Sequence, residues 1–151
     1  DVFDTEGKLS FEALNVKTAK MVMESSGDLI NWMRSMKRFV ETDTQIFVHA
    51  GIDEDAGEEW EWGTADHIFT WKYPPTFGRF YKNIIAGHVG TGRIAGDRSF
   101  HDIYYDGASH YYIDGSVYRT GNLLLLAYDE TDGKYYQMEK QGRIQIGAYR
   151  K

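Results

Sequence analysis

Asn83-Ile84-Ile85-Ala86-Gly87-His88-Val89-Gly90 is a short apolar run that stops at a histidine beside a glycine. Its paired isoleucines favour extended backbone, because β-branching restricts the side chain and suits a pleated surface. Glycine bounds the run, so it reads as a buried strand. A second stretch has the same construction: Gln45-Ile46-Phe47-Val48-His49-Ala50-Gly51. A histidine at the end of such a strand sits where an open sheet presents its ligands. Two of them predict a pair of imidazoles on rigid elements at one sheet edge, which is the arrangement a metal site needs.

Outward from these runs, the chain shows no internal repeat and no low-complexity linker. Residues Phe11 to Met23 are weakly helical. Gly27-Asp28 opens a clearer helix with Asp28 as N-cap, and Leu29, Trp32, Met33, Met36, Phe39 and Val40 fall on one apolar face. The acidic stretch from Gly51 to Gly63 reads as a solvated loop. Asp66 to Tyr73 is a short helix or strand broken by Pro74-Pro75. The last third reads as strands at Tyr111–Asp114, Leu123–Tyr128, Tyr135–Met138 and Arg143–Tyr149, with a turn near Asp132-Gly133. Helices early and strands late predict a layered α/β fold.

The 151 residues suffice for a single domain over 1–151, and 42% hydrophobic with 26% charged residues describe a folded, soluble chain. With a net charge of -6 and no basic stretch, a nucleic-acid backbone is an unfavourable partner. Cysteine is absent, which removes disulfides, thiolate metal ligands and a Cys nucleophile, and fits a reducing, cytoplasmic location. No apolar run is long enough to span a membrane. Asp1-Val2-Phe3-Asp4 is no signal peptide and lacks an initiator Met, so a processed or truncated chain is expected.

Taken in order, Phe47-Val48-His49-Ala50-Gly51, Ala86-Gly87-His88, and Ile113-Asp114-Gly115-Ser116-Val117-Tyr118 followed by Gly121-Asn122-Leu123 resemble the second half of a calcineurin-like metallophosphoesterase. The resemblance is to the protein serine/threonine phosphatase branch and runs from about Trp32 to about Tyr128. Gly90, where related hydrolases carry a second histidine, favours that branch. The resemblance implies a two-sheet sandwich flanked by helices, of which this chain supplies the C-terminal part. It implies that His49 and His88 each bind one ion of a dinuclear centre of Mn, Fe or Zn. Paired ions of this kind clamp a phosphate and activate a water for attack.

Two departures from the family pattern shape the expectations. The phosphate-gripping arginine of the family follows a tryptophan between the two histidine blocks. Here Trp71 is followed by Lys72, which becomes the expected phosphate-binding residue and supplies charge without a bidentate fork. The family's first-half blocks, Asp-x-His, Gly-Asp-x-x-Asp-Arg and Gly-Asn-His-Asp/Glu, do not occur. Gly27-Asp28 and Gly96-Asp97-Arg98 have the wrong continuation. No catalytic residue is therefore assigned, and the chain alone is expected to lack turnover and need hold no metal. The resemblance implies a metallophosphatase acting on a phosphorylated protein or a small phosphoester. The alternatives are a dinucleoside polyphosphate hydrolase and a non-catalytic binding or regulatory module. Self-association is also expected, by swapping or edge pairing through the strands at Gln45 to Val48 or Ile84 to Ala86, with a large uncovered apolar patch at the contact. Asp114 reads as a turn residue, and His67, His101 and His110 as surface or core histidines. Arg79, Arg93, Arg98 and Arg119 are candidates to touch an anionic substrate, although exposed arginines are common.

Overall fold

The computed structural model describes residues 10–150. The chain divides into two compact units, Asp1–Lys37 and Arg38–Lys151.

The first unit contains one helix, α1 (Phe11–Ser35). The Ser10 hydroxyl caps it by accepting the Ala13 N–H at 3.2 Å, which satisfies one of the amides a helix start leaves open. Asp28 lies inside the helix and caps nothing. The helical path breaks earlier, at Ser26 (φ -142°), where serine and the following glycine both have weak helix propensity. Ser25 Oγ donates to the Val22 carbonyl at 3.3 Å, a local bond that competes with regular helix. No residue of α1 is buried, and Phe11 and Trp32 are 72% and 58% exposed. The helix stops at Ser35 because Met36 takes extended backbone. Phe39 and Val40, read from the sequence as the end of this apolar face, form a strand instead.

That strand, β1 (Phe39–Glu41), begins the second unit. It pairs antiparallel with β2 (Gln45–Val48). Next in space come β3 (Asn83–Ala86), β5 (His110–Tyr112) and β4 (Tyr104–Tyr105), giving the order β1-β2-β3-β5-β4. The central strands β2, β3 and β5 are parallel, and β2 and β3 are each paired on both sides, so neither offers the free edge expected for pairing with another chain. A second, antiparallel sheet holds β6 (Leu126–Asp129), β7 (Lys134–Glu139) and β8 (Gly142–Gln145). The fold is mixed α/β with two sheets and helices, within the layered α/β class that the sequence pattern predicts.

Strand β3 explains why both faces of the first sheet are covered. Side chains alternate across a strand, so Ile84 and Ile85 point opposite ways. Ile84 packs with Ile46, Ile52, Trp60 and Phe69. Ile85 packs with Ile103, Tyr111, Leu124 and Tyr135, which brings in the second sheet. Burying each such side chain stabilises by about 1.5–3 kcal/mol. Parallel strands covered on both faces read as continuous apolar runs, which is why these two were legible.

The acidic stretch from Gly51 to Gly63 is more than a solvated loop. It forms a 3-10 turn (Glu54–Glu59) and α2 (Trp60–Gly63), and it drives Trp60 into the core at 1% exposure. The Asp66 segment resolves as a helix, α3 (Asp66–Thr70), which buries Phe69. Two short helices were not anticipated: α4 (Thr91–Ala95) after β3 and α5 (Val117–Thr120) after β5. The last strand ends at Gln145, short of the predicted Tyr149, because Tyr149 N–H instead reaches the Tyr105 carbonyl at 2.8 Å on the first sheet. No helix of the described residues is long and apolar enough to cross a membrane.

Candidate functional site

Parallel strands in register end together. Val48 lies opposite Ala86, and Ala86 opposite Tyr112, so the segments leaving β2, β3 and β5 emerge side by side at the carboxyl edge. That edge is where open α/β sheets bind ligands. His49 directly follows β2, Gly87-His88 follows β3, and Ile113-Asp114 follows β5. Backbone bonds lace the exits: Gly87 N–H to the His49 carbonyl at 2.8 Å, Ile113 N–H to that of Ala86 at 2.8 Å, and Thr91 N–H to that of Asp114 at 2.9 Å.

The two predicted imidazoles meet. Their ring centroids are 5.2 Å apart with the planes at 62°. Trp71 leans edge-on against His88 at 4.9 Å. His88 has φ of 65°, a left-handed conformation uncommon outside glycine, although asparagine, aspartate and histidine adopt it more readily than other residues. Ser116, beyond the end of β5, does the same at 52°. Such backbone costs on the order of 1 kcal/mol or more per residue and clusters at functional sites.

A cleft of about 1300 Å³ opens beside His88. Its wall includes Trp71, Tyr73, Arg93, Arg98, His101 and Arg119, together with Gly90, Ser116 and Thr120. Among the described residues, none that lines it is acidic, in a chain whose net charge is -6. The Arg93 guanidinium sits over the Tyr73 ring at 4.3 Å, within cation–π range.

The donor set bears on metal binding. Two neighbouring imidazoles suit one ion of the Mn, Fe or Zn type. A stable dinuclear centre needs carboxylates as well. Among the described residues, no group of three or more His, Asp or Glu is placed to hold an ion. Asp114 is already engaged, accepting the Ser116 N–H on Oδ1 at 2.7 Å. The residues present fit the nitrogen ligands of one ion and not a closed two-ion site.

Lys72 stands apart from the cleft wall. Its ammonium donates to the Ile52 carbonyl and pairs with Glu54, and both side chains are largely buried at 16% and 15% exposure. Gly51 makes room for it, since a Cβ at that position would collide with the Lys72 stem. The charge expected for phosphate binding is thus committed to an internal ion pair. Its neighbours Trp71 and Tyr73 are the ones that line the cleft.

That ion pair belongs to a larger buried network. His110, 2% exposed, has Nε2 at 3.3 Å from Glu54 Oε1 and Nδ1 at 3.1 Å from Asp106 Oδ2. Nδ1 also lies 3.0 Å from the Gly78 carbonyl. Burial pushes the Glu54 carboxyl up, but hydrogen bonds from His110 and Lys72 outweigh it and hold the group below its usual range. Burial likewise raises Asp106, and the N–H groups of Gly78, His110 and Ala108 outweigh it. Burial raises the Tyr112 phenol, whose O–H donates to the Thr76 carbonyl. His110 is therefore a core histidine. His67 is exposed on α3, and His101 is exposed but lines the cleft.

No family model, no curated protein and no solved structure matches this chain.

The sequence pointed to the histidines and to the block from Ile113 to Tyr118 with Gly121, and named Arg93, Arg98 and Arg119 as candidates, but it did not link Ser116 to Arg119. The available signal was local: Gly115 and Gly121 bracket the segment. A left-handed serine leaves no mark of its own in composition.

Proposed function

We propose that this chain is part of a metal-dependent phosphoester hydrolase of the metallophosphoesterase type, acting in the manner of a serine/threonine protein phosphatase. The observation that carries the reading is the pairing of His49 and His88 at adjacent parallel strand ends, with ring centroids 5.2 Å apart, beside a cleft with no acidic lining residue among those described. Imidazoles on rigid strand ends can present nitrogen lone pairs to one ion with little reorganisation. A divalent ion bound there supplies charge neutralisation at phosphoryl oxygens and lowers the pKa of a coordinated water. The cleft arginines attract and orient the phosphoryl anion, and guanidinium matches its oxygens in pairs. Trp71 packs on the His88 ring and restrains its orientation. On this reading the remaining oxygen donors, and the second ion, depend on residues outside those described, and the chain alone does not turn over substrate.

A second reading, hydrolysis of dinucleoside polyphosphates, draws support from the aromatic side of the cleft. Trp71 and Tyr73 are 70% and 57% exposed on its wall, and exposed aromatic faces stack bases.

Titration calorimetry with Mn(II) and Zn(II), run on the chain and on His49→Ala and His88→Ala, tests the proposal. Weak metal binding lost in both variants is expected, with no hydrolysis of an aryl phosphate by the chain itself. Metal binding indifferent to both substitutions would overturn the assignment. Metal-dependent turnover well above blank, abolished in His49→Ala, would overturn the claim that the chain is incomplete as a catalyst.

A further inference from the structure

Three arginines line the cleft, and the backbone does not hold them equally. Arg93 is drawn over the Tyr73 ring. Arg98 is exposed on the segment after α4. Arg119 is held by a built turn: its Nη2 donates to Ser116 Oγ at 3.2 Å, and its own N–H bonds to the Ser116 carbonyl at 2.7 Å. Ser116 is in turn fixed in its left-handed conformation, with its N–H on Asp114 Oδ1 at 2.7 Å.

The loop from β3 closes over this turn. Gly90, two residues beyond His88, sits where a Cβ would strike Ser116 Oγ and lie 3.9 Å from Arg119 Nη2. The absence of a side chain at Gly90 thus lets the Arg119 turn pack against the histidine loop. The described arginines that pair with carboxylates are Arg38 and Arg143. Arg119 has no such partner among the described residues. One of its N–H groups goes to Ser116, and the others remain for a ligand in the cleft. A guanidinium offers five N–H donors in a planar fork.

We propose that Arg119 grips and orients the anionic phosphoryl group in the cleft, with Ser116, Asp114 and Gly90 as its positioning residues. This rests on reading the cleft as a phosphoester site. It assigns to the turn after β5 the task that the sequence pattern assigns to Lys72. Lys72 is occupied by Glu54, whereas Arg119 is pre-oriented and has no carboxylate partner among the described residues. A pre-oriented fork loses less freedom on binding than a free side chain, so it discriminates tetrahedral oxyanions from simple anions.

The test is calorimetric titration of the chain with inorganic phosphate and phenyl phosphate, without metal, at low and at raised ionic strength. Hydrogen bonds to a charged group are worth about 1.5–3 kcal/mol, so Arg119→Ala should weaken binding by at least about tenfold. Arg119→Lys should recover only part of the loss, because it restores charge and not the fork. Gly90→Ala should weaken binding by displacing Ser116, and Arg79→Ala, outside the cleft, should leave affinity unchanged. Melting temperatures of Arg119→Ala and wild type should agree, since an exposed side chain contributes little to stability. Affinity within twofold of wild type in Arg119→Ala, full affinity in Arg119→Lys, or no phosphate binding by the wild type would each overturn the proposal. The metal titration of the histidine variants separates this from the hydrolase reading. Phosphate binding that needs Arg119 in a chain whose imidazoles hold no metal keeps the anion site and removes the hydrolase. Metal binding through His49 and His88 with phosphate indifferent to Arg119 does the reverse.

Discussion

Replacing Glu54 with alanine should destabilise the protein by about 3 kcal/mol. Glu54 stands between two cationic or cation-capable groups, Lys72 and His110, and all three side chains are largely withdrawn from water. For the Lys72–Glu54 pair, unit charges about 3 Å apart at an effective dielectric of about 20 attract by roughly 5 kcal/mol before desolvation is counted. Removing one partner from a buried pair typically costs about 3–5 kcal/mol, because the other charge is left unsolvated and unpaired. The 15% exposure of Glu54 lets some water reach the vacancy, which places the cost at the low end. For a chain of this size, about 3 kcal/mol lowers the melting temperature by about 10 °C. Glu54→Gln keeps the shape and one acceptor, so its cost should be smaller. Lys72→Met made together with Glu54→Gln should cost less than the sum of the two, with a coupling of about 1–2 kcal/mol. Thermal and urea denaturation followed by circular dichroism supply the measurements. A Glu54→Ala melt within about 2 °C of wild type, or additive single and double variants, would refute the view that this buried network stabilises the fold.

The same network predicts acid lability. Glu54 and Asp106 have carboxyl pKa values held below their ordinary range, so their stabilisation is present above the unfolded carboxylate pKa of about 4 and is lost as pH falls through the folded values. Melting temperature should therefore drop below about pH 4, and the drop should be shallower in Glu54→Gln; an identical acid profile in both proteins would count against it. Helix α1, which leaves Phe11, Leu29, Trp32 and Met33 exposed, should drive self-association, and Trp32→Glu with Met33→Glu should shift sedimentation toward monomer. A wild-type chain that sediments as a monomer at high concentration would remove that expectation.

How much of this was legible beforehand depends on the range of the interaction. Strands β2 and β3 and the histidines that follow them could be read because a buried parallel strand writes itself locally, as a β-branched run closed by glycine. The meeting of His49 and His88 followed from two such runs lying in parallel. Errors arose where tertiary context overrode local preference. Phe39 and Val40 continued a helical period but pair with Phe47 and Val48 across β1 and β2. Trp60 sat in an acidic stretch, yet the core captured it. Lys72 had the charge a phosphate needs, and only the fold could reveal that Glu54, distant in sequence, had already taken it. Arg119 resembled any exposed arginine until Ser116 and Gly90 were seen to close around it.

His88 and Ser116 bend the chain the wrong way for their kind, at the ends of neighbouring parallel strands. Glycine at either position would relax the backbone at no steric cost, so thermal endurance and chemistry favour different residues there. A lineage under pressure only to stay folded would drift toward glycine at both points and lose the imidazole and the hydroxyl together. Their retention in a library screened for binding, and their loss in one screened for heat resistance, would expose the conflict from the sequences alone.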